Sequence, residues 1–344
     1  MKKTLVALAV LAASGAAMAQ SSVTLFGTVD VRYAVGKGST SSKTQLSTGG
    51  IGSSKIGFRG TEDLGGGMKA NFWLEGDVGP DDGSARATST NNQPITALAS
   101  AATQGLTFNR RSTLGLEGGM GELRLGRDYT TSFYNDTLYD PFTTNGIGTN
   151  INAFKSTVHG LRYSNSIAWH TPSVSGFSGI AATWLGENAS TAAKAGQGNG
   201  LFVKYANGPL LASYASSKST VSAGVTSDSS SYGAAYDLGV VRLMALSNKT
   251  TVTAVGEQKG RLVGLTAPVA GGQFRLSQAQ FDNAGKMSKQ MSVGFVNPLS
   301  KRTSLYAVYA RIGNSGGAST ALNGGTTAAN ASSTGYDFGI NHTF

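Results

Sequence analysis

The sequence predicts an all-β fold, a transmembrane antiparallel β-barrel of about sixteen strands with one long loop folded inward to narrow its bore. Three observations predict it. Runs of roughly ten residues alternate apolar and polar side chains along most of the chain, the length a tilted strand needs to cross a bilayer. The polar side of these runs carries Arg, Lys, Asp and Glu at mid-strand. Such groups suit a wet lumen and would be costly in a dry sandwich core. The chain also opens with an export signal.

That signal has Lys2 and Lys3 as its basic start, an apolar stretch over 5–13, and Ala17-Met18-Ala19 as a small-residue cleavage site. Cleavage after Ala19 leaves Gln20 as the first mature residue and assigns 20–344 to the barrel. The 344 residues less these 19 leave 325, and loss of the two lysines takes the net charge from +10 to +8. No later apolar run reaches the ~18 residues of a spanning helix. There is no cysteine, so an exported chain holds together without disulfides. Basic residues are spread singly, with no cluster longer than Arg110-Arg111 or Lys301-Arg302. That argues against a nucleic-acid partner.

The elements follow in order. Val23, Leu25, Val29, Val31, Tyr33 and Val35 share one face of the first run; Thr24, Thr28, Asp30 and Arg32 share the other, and Phe26 breaks the pattern. A polar loop is expected over 36–52. The next run, 55–61, sets Ile56 and Phe58 against Lys55, Arg59 and Thr61. A glycine-rich turn at 62–67 supplies the positive φ that hairpins need. The run 68–78 follows, with Trp73 unaccountably on its polar face. A polar loop over 79–107 leads to a hairpin, 109–117 and 122–128, turning at 118–121. Residues 129–159 then show no alternation. A connection of that length usually has a job, and folding into the barrel mouth is the job predicted here.

Alternation resumes in five more hairpins: 160–170 with 177–186, 201–206 with 210–217, 231–236 with 240–248, 260–266 with 273–282, and 291–296 with 303–311. Polar loops are expected between the pairs. The last run is the clearest, with Tyr336, Phe338, Ile340, His342 and Phe344 on one face. At roughly 20 residues per strand and connection, the mature chain accommodates sixteen strands. Closing the sheet removes unpaired edges that lipid could not satisfy. Tyr163, Trp169, Trp184, Tyr205, Tyr214, Tyr236, Phe281, Phe295 and Phe344 stand near run ends, where an interfacial girdle is expected.

Alternation places Arg59, Arg111 and Arg162 in the lumen, with Lys55 and Arg124 beside them on neighbouring strands. The inward loop carries Asp136 and Asp140, which would face these cations across a gap. Opposed charges between low-dielectric walls focus a transverse field. Excess positive charge there predicts a pore that prefers anions. The bland alternative is ordinary lumen charge with no constriction. Arg127 falls on the outer face, at the headgroup rim. Other chemistry finds little support. The three histidines form no metal spacing, no local motif marks a hydrolase, and Gly49-Gly50-Ile51-Gly52 precedes no helix that would make a phosphate cradle. No cofactor and no enzymatic activity are expected. A substrate-specific channel would want a file of lumen aromatics, and Phe26, Trp73 and Tyr309 are few and scattered.

Several stretches together resemble the Gram-negative general porins of beta-proteobacteria: VTLFGTVD at 23–30, SKIGFRGTEDLGGG at 54–67, MKANFWLEG at 68–76, GGMGELRLGRDY at 118–129 and YDFGINHTF at 336–344. The resemblance spans the mature chain. It implies a homotrimer of sixteen-stranded barrels in the outer membrane, in contact with its lipid, through which small hydrophilic solutes diffuse passively. It matches the family's constriction arginines to Arg59, Arg111 and Arg162, and its acidic loop residues to Asp136 and Asp140. It implies that Phe344 is the signal read by the barrel-assembly machinery, and that the loop 79–107 latches over a neighbouring subunit.

Overall fold

Every strand runs antiparallel to its neighbours, and the last pairs with the first. The computed structural model describes residues 22–89, 105–154, 160–189, 194–253 and 255–344. The export signal, His159 and most of the expected latch lie outside the described residues. In chain order the elements are β1 (Ser22–Lys37), β2 (Ser42–Thr48), β3 (Lys55–Gly65), β4 (Met68–Asp77), β5 (Arg111–Gly118), β6 (Gly121–Tyr129), α1 (Thr131–Thr137), α2 (Ile151–Phe154), β7 (Arg162–His170), β8 (Phe177–Trp184), β9 (Gly198–Asn207), β10 (Leu210–Ser222), β11 (Val225–Asp237), β12 (Arg242–Val252), β13 (Gly256–Val269), β14 (Gly272–Asn283), β15 (Lys286–Pro298), β16 (Thr303–Ser315) and β17 (Ser333–Thr343).

These seventeen described strands fill sixteen positions. β1 pairs with β3 along its first half, from Ser22↔Thr61 to Thr28↔Lys55, and with β2 along its second, from Val31↔Thr48 to Lys37↔Ser42. β2 and β3 are one barrel strand broken at 49–54. β2 therefore lies where a loop over 36–52 was expected. The break is held by the Asp30 carboxylate, which is fully buried. It accepts from Gly50 N at 2.8 Å, Ile51 N at 3.0 Å, Gly52 N at 2.9 Å, Tyr306 OH at 2.5 Å and Asn341 Nδ2 at 2.9 Å. The other edge of β1 closes the barrel on β17, from Thr28↔Thr343 to Lys37↔Thr334.

The faces are inside out relative to a soluble sheet. Val23, Leu25, Phe58, Leu114, Leu125 and Ile340 are exposed on the outer surface, while Asp30, Ser231, Gln290, Ser292 and Asp337 are buried within. Along β3 the pattern is as predicted, with Phe58 outward and Arg59 in the lumen.

Two expectations change. Long loops were expected between all the later hairpins. Instead β10 and β11 join through Ala223-Gly224, β12 and β13 through 253–255, and β14 and β15 through Ala284-Gly285. The ends of β10 and β11 are rich in serine and threonine on both faces, so the apolar alternation fades there while the ladder continues. Backbone pairing runs on to Thr220↔Thr226, and Ser217 Oγ meets Ser229 Oγ at 2.9 Å across it. The girdle also loses members. Trp169, Tyr236 and Phe344 are exposed as expected, but Tyr163 and Trp184 are 3% and 4% exposed and stack face to face at 4.7 Å inside the barrel. β6 and β7 slip register between Gly126 and Asp128, and Asn165 takes a φ of +58°. That bulge turns Tyr163 inward. Phe281 packs inward on Phe154 at 6.4 Å.

Candidate functional site

The site is the space between one wall of the barrel and the chain from 130 to 154. That segment enters the lumen after β6. Thr130 caps α1, its Oγ1 accepting from Phe133 N at 3.2 Å. α1 is then held to the inner faces of β10 and β11 by hydroxyls and amides. Thr131 Oγ1 donates to Ser216 O at 2.9 Å, Ser132 Oγ meets Ser217 Oγ at 2.8 Å, and Asn135 Nδ2 donates to Ser231 Oγ at 2.7 Å. Beyond α1, Tyr139, Phe142, Ile147 and Phe154 form an apolar core with Met244, Leu246, Leu262, Val308 and Ile312. Wall glycines leave room for this: a Cβ at Gly233 would overlap the Tyr139 ring, and one at Gly264 would press on Pro141. The far end docks on the strand break, where Thr143 Oγ1 donates to Ile51 O at 2.9 Å and Ser53 Oγ donates to Asn145 Oδ1 at 2.7 Å. The loop therefore lines the β9–β17 side and leaves the β3–β6 side bare.

The bare side is a charged wall. Arg59 lies over two rings, 5.3 Å from the centre of Phe26 and 5.2 Å from that of Trp73. Arg111 lies over the same Trp73 ring, 4.7 Å from its centre. The two rings pack at 4.9 Å, and Phe26 fills the space above Gly57, between Lys55 and Arg59. Trp73 Nε1 donates to Glu75 Oε2 at 3.0 Å. Phe26 and Trp73, the two residues that broke the alternation, are the seat of the arginines.

Carboxylates on the same wall hold the remaining cations. Arg124 donates to Glu122 Oε2 at 2.6 Å and to Asp128 Oδ2 at 2.7 Å, and Arg111 Nε stands 3.6 Å from Asp128. Lys55 Nζ stands 3.6 Å from Glu75. Arg110 is buried and bound by Glu75 at 2.5 Å and Asp77 at 2.8 Å. Arg59, Trp73, Arg111, Glu122 and Arg124 line a cavity of about 420 Å³. Lys55, Arg110, Arg111, Arg124, Asp128 and Tyr134 line a second of about 240 Å³ between the wall and α1.

The structure thus brings together Lys55, Arg59, Arg111 and Arg124. Arg162 stands apart, 4.8 Å over the Tyr129 ring, with Arg110 as its neighbouring cation. Asp136 and Asp140 do not face these arginines. Both are buried against the loop and the far wall. Asp140 is an internal clamp, accepting from Phe142 N at 2.9 Å, Thr149 Oγ1 at 2.8 Å and Asn150 N at 3.1 Å. Burial raises its carboxyl above the usual range, against those hydrogen bonds. Asp136 Oδ1 has no hydrogen-bond partner among the described residues. Burial, then the Asp140 charge, pushes its carboxyl up to about 8. The carboxylates that do meet the arginines are Glu75, Asp77, Glu122 and Asp128, on the strands themselves.

A profile of the Gram-negative porin family matches residues 4–317. The chain is 40% identical to outer membrane porin protein 32 of Delftia acidovorans over the whole of both chains. The chain belongs to the Gram-negative porin family. Among solved structures it is similar to an anion-selective porin from Comamonas acidovorans, with a TM-score of 0.82 and 35% identity, covering 94% of this chain and 100% of that one. It shares the fold of a trimer form of OmpT from Vibrio cholerae at 12% identity and a TM-score of 0.65, covering 94% and 99% of the two chains. Membership places this porin in the Gram-negative outer membrane.

Sequence reasoning put Glu75 and Asp77 on the inward face of their run but counted neither them nor Glu122, Asp128 and Arg110 in this porin's site. The signal was present for all four carboxylates, which share the inward period with Lys55 and Arg124. Arg110 precedes β5 and has no strand period to place it. Arg127 is not on the outer face where alternation put it: the bulge between Gly126 and Asp128 turns it into the wall near Arg162 and Asp77, its Nε donating to Asn109 O at 2.6 Å and Nη1 to Ser164 Oγ at 2.7 Å. Tyr309 is on the outer face and belongs to no lumen file.

Proposed function

We propose that this porin is a passive diffusion channel for ions and small hydrophilic solutes that prefers anions, and that Lys55, Arg59, Arg111, Arg124 and Arg162 set the preference. One observation carries the reading. On the bare wall Lys55, Arg59, Arg110, Arg111, Arg124, Arg127 and Arg162 outnumber Glu75, Asp77, Glu122 and Asp128 by three, and Arg59 has no carboxylate partner among the described residues. Facing them, the loop presents Tyr134 while its own carboxylates are turned away or shielded by burial. Within a Debye length of about 8 Å at physiological salt, a passing anion meets uncompensated positive charge in a low-dielectric bore. The likeness to an anion-selective porin supports the same reading.

The test is the reversal potential of single channels across a salt gradient. Arg59→Glu with Arg111→Glu is expected to lower anion over cation permeability and move the reversal potential toward the cation side. An unchanged value would mean that these side chains do not line the narrow point. A substrate-specific channel would show conductance that saturates and is blocked by its solute.

The same reading includes three features of maturation and assembly. Residues 1–19 are an export signal cleaved after Ala19. Phe344 is the assembly-machinery signal: it ends β17's face, its backbone exchanges hydrogen bonds of 3.1 Å with Gly27, and its ring is half exposed to lipid. The working form is a homotrimer, supported by the trimer form of the Vibrio structure.

A further inference from the structure

The chain that follows β16 folds back over the outer mouth of the barrel. Gly316 lies so close to the β14–β15 turn that a Cβ there would stand 2.0 Å from Gly285 O. Asn314 pins the segment in place. Its Oδ1 accepts from Thr320 N at 3.1 Å, and its Nδ2 donates to Thr320 O at 2.9 Å and to Ala331 O at 2.7 Å. Ser288 Oγ joins the same knot, 2.8 Å from Asn314 Oδ1 and 2.9 Å from Thr320 Oγ1. Ala318, Thr320 and Leu322 are buried as a result.

Between this pinned segment and the outer ends of β13–β15 is a cavity of about 300 Å³. That is the low end of the range for small-molecule sites. Register lays one row of polar side chains across it: Gln258 stands opposite Asn283, and Asn283 opposite Lys286. The row faces inward, on the same period as Leu262, Ala279 and Ser288. Gln258 is only 9% exposed. Its Nε2 donates to Asn283 Oδ1 at 3.4 Å. Gln258 Oε1, Asn283 Nδ2 and Lys286 Nζ then have no partner among the described residues. Phe281, which meets Phe154 at 6.4 Å, lines the cavity one step deeper.

We propose that this cavity is a subsite for an acidic monosaccharide of hexuronate size. Phe281 takes the C–H face of the ring, as an aromatic side chain offers apolar area of matching shape. Gln258 Oε1 accepts from one ring hydroxyl and Asn283 Nδ2 donates to another, which uses the amide valences that the fold leaves open. Lys286 takes the carboxylate. The hydrogen-bonded knot around Asn314 forms the walls in advance, so little ordering is lost on binding. The subsite lies on the loop-lined side of the bore, across from the arginine wall of β3–β6, and it is independent of the proposed anion preference.

The test is saturation-transfer NMR on the detergent-solubilised mature porin with sodium glucuronate as the probe. Saturating the protein's aromatic protons is expected to attenuate the sugar's ring C–H signals. N283A/K286Q is expected to lose at least five-fold of this transfer. S319W, which fills the cavity from its exposed rim and removes no anchor, is expected to lose as much. Both should keep the heat-dependent gel mobility of the folded barrel. R59E/R111E is expected to keep the transfer, because its arginines stand on the other wall. No transfer in the wild type would overturn the proposal, as would equal transfer in N283A/K286Q and S319W. Loss in R59E/R111E alone would place the sugar on the arginine wall and overturn it too. Equal transfer to acetate or to glucose would do the same, since one lacks the ring and the other the charge.

Discussion

The Arg111 guanidinium carbon lies 4.7 Å from the centre of the Trp73 ring, and Arg59 lies 5.2 Å from the same ring. One indole thus positions two cations that would repel each other in the open. Each contact stabilises the stacked rotamer by about 0.5–2 kcal/mol, enough for a several-fold change in its population. Trp73→Ala changes no charge, yet it is expected to let both guanidiniums swing and to shift the reversal potential toward zero. Trp73→Phe keeps a ring but loses the bond to Glu75, and is expected to retain most of the preference. Equal reversal potentials in all three proteins would mean the shelf has no part in selectivity.

Asp30 should be the most sensitive polar residue of the barrel. Its carboxylate gathers five donors where the second barrel strand breaks. Removing it strands buried N–H groups and the Tyr306 hydroxyl, each costly to leave unmade. Asp30→Ala is expected to cost about 3–5 kcal/mol of stability, the range for breaking a buried charged cluster. Asp30→Asn keeps one acceptor and should lose less. The midpoint of urea unfolding, read by gel mobility of the folded barrel, checks both the size and the order.

Much of the wall was legible because a strand has a period of two and a lipid-facing barrel reports its wet side by charge. Phe58 and Arg59 sit on opposite faces as alternation required. What escaped was set by contacts between distant segments. Phe26 and Trp73 looked like errors in the pattern because their partners, Arg59 and Arg111, are on other strands. Asp30 belongs to the polar face by period, but nothing local shows that it collects amides from 50–52. The serine-rich ends of β10 and β11 read as loops because both faces are polar, and hydropathy is blind to a backbone ladder. Asp136 and Asp140 were placed opposite the arginines on the assumption that a loop carboxylate in a pore faces the pore. Their burial depends on the loop's path along β10–β15, which no period encodes.

That path depends on small residues beneath it. A Cβ at Gly233 would overlap the Tyr139 ring. Tyr139 OH and Ser213 Oγ are also joined at 2.5 Å beside it. Gly233→Val is expected to push the loop toward the arginine wall and lower the step conductance while leaving the barrel folded. Gly313→Ala, where an added Cβ meets nothing within 4 Å, is the matched control and should conduct as the wild type. Planar-bilayer steps at fixed salt make the comparison, and equal steps in all three proteins would show that the loop's seat tolerates a side chain.

The loop's docking should also depend on pH, through Asp136. Its carboxyl is pushed up to about 8 when docked, by burial first and then by Asp140, whereas an undocked aspartate titrates near its ordinary 3.8. The sign follows from which state binds the proton. Below pH 3.8 both states are protonated and docking keeps its full strength. Between 3.8 and about 8 the undocked loop gives up its proton while the docked one holds it, so docking weakens steadily as pH rises, and the loss levels off above 8. Asp140 is raised in the same direction and adds to the trend. Asp136→Asn is neutral at every pH and has an amide to offer the site, so it is expected to dock more firmly than the wild type at pH 7–8 and to flatten the dependence. Open-channel noise and protease cleavage within 130–154, followed from pH 4 to 9, read the loop directly. If the wild type is cleaved no faster at pH 8 than at pH 5, the carboxyl is not held in its neutral form against the wall.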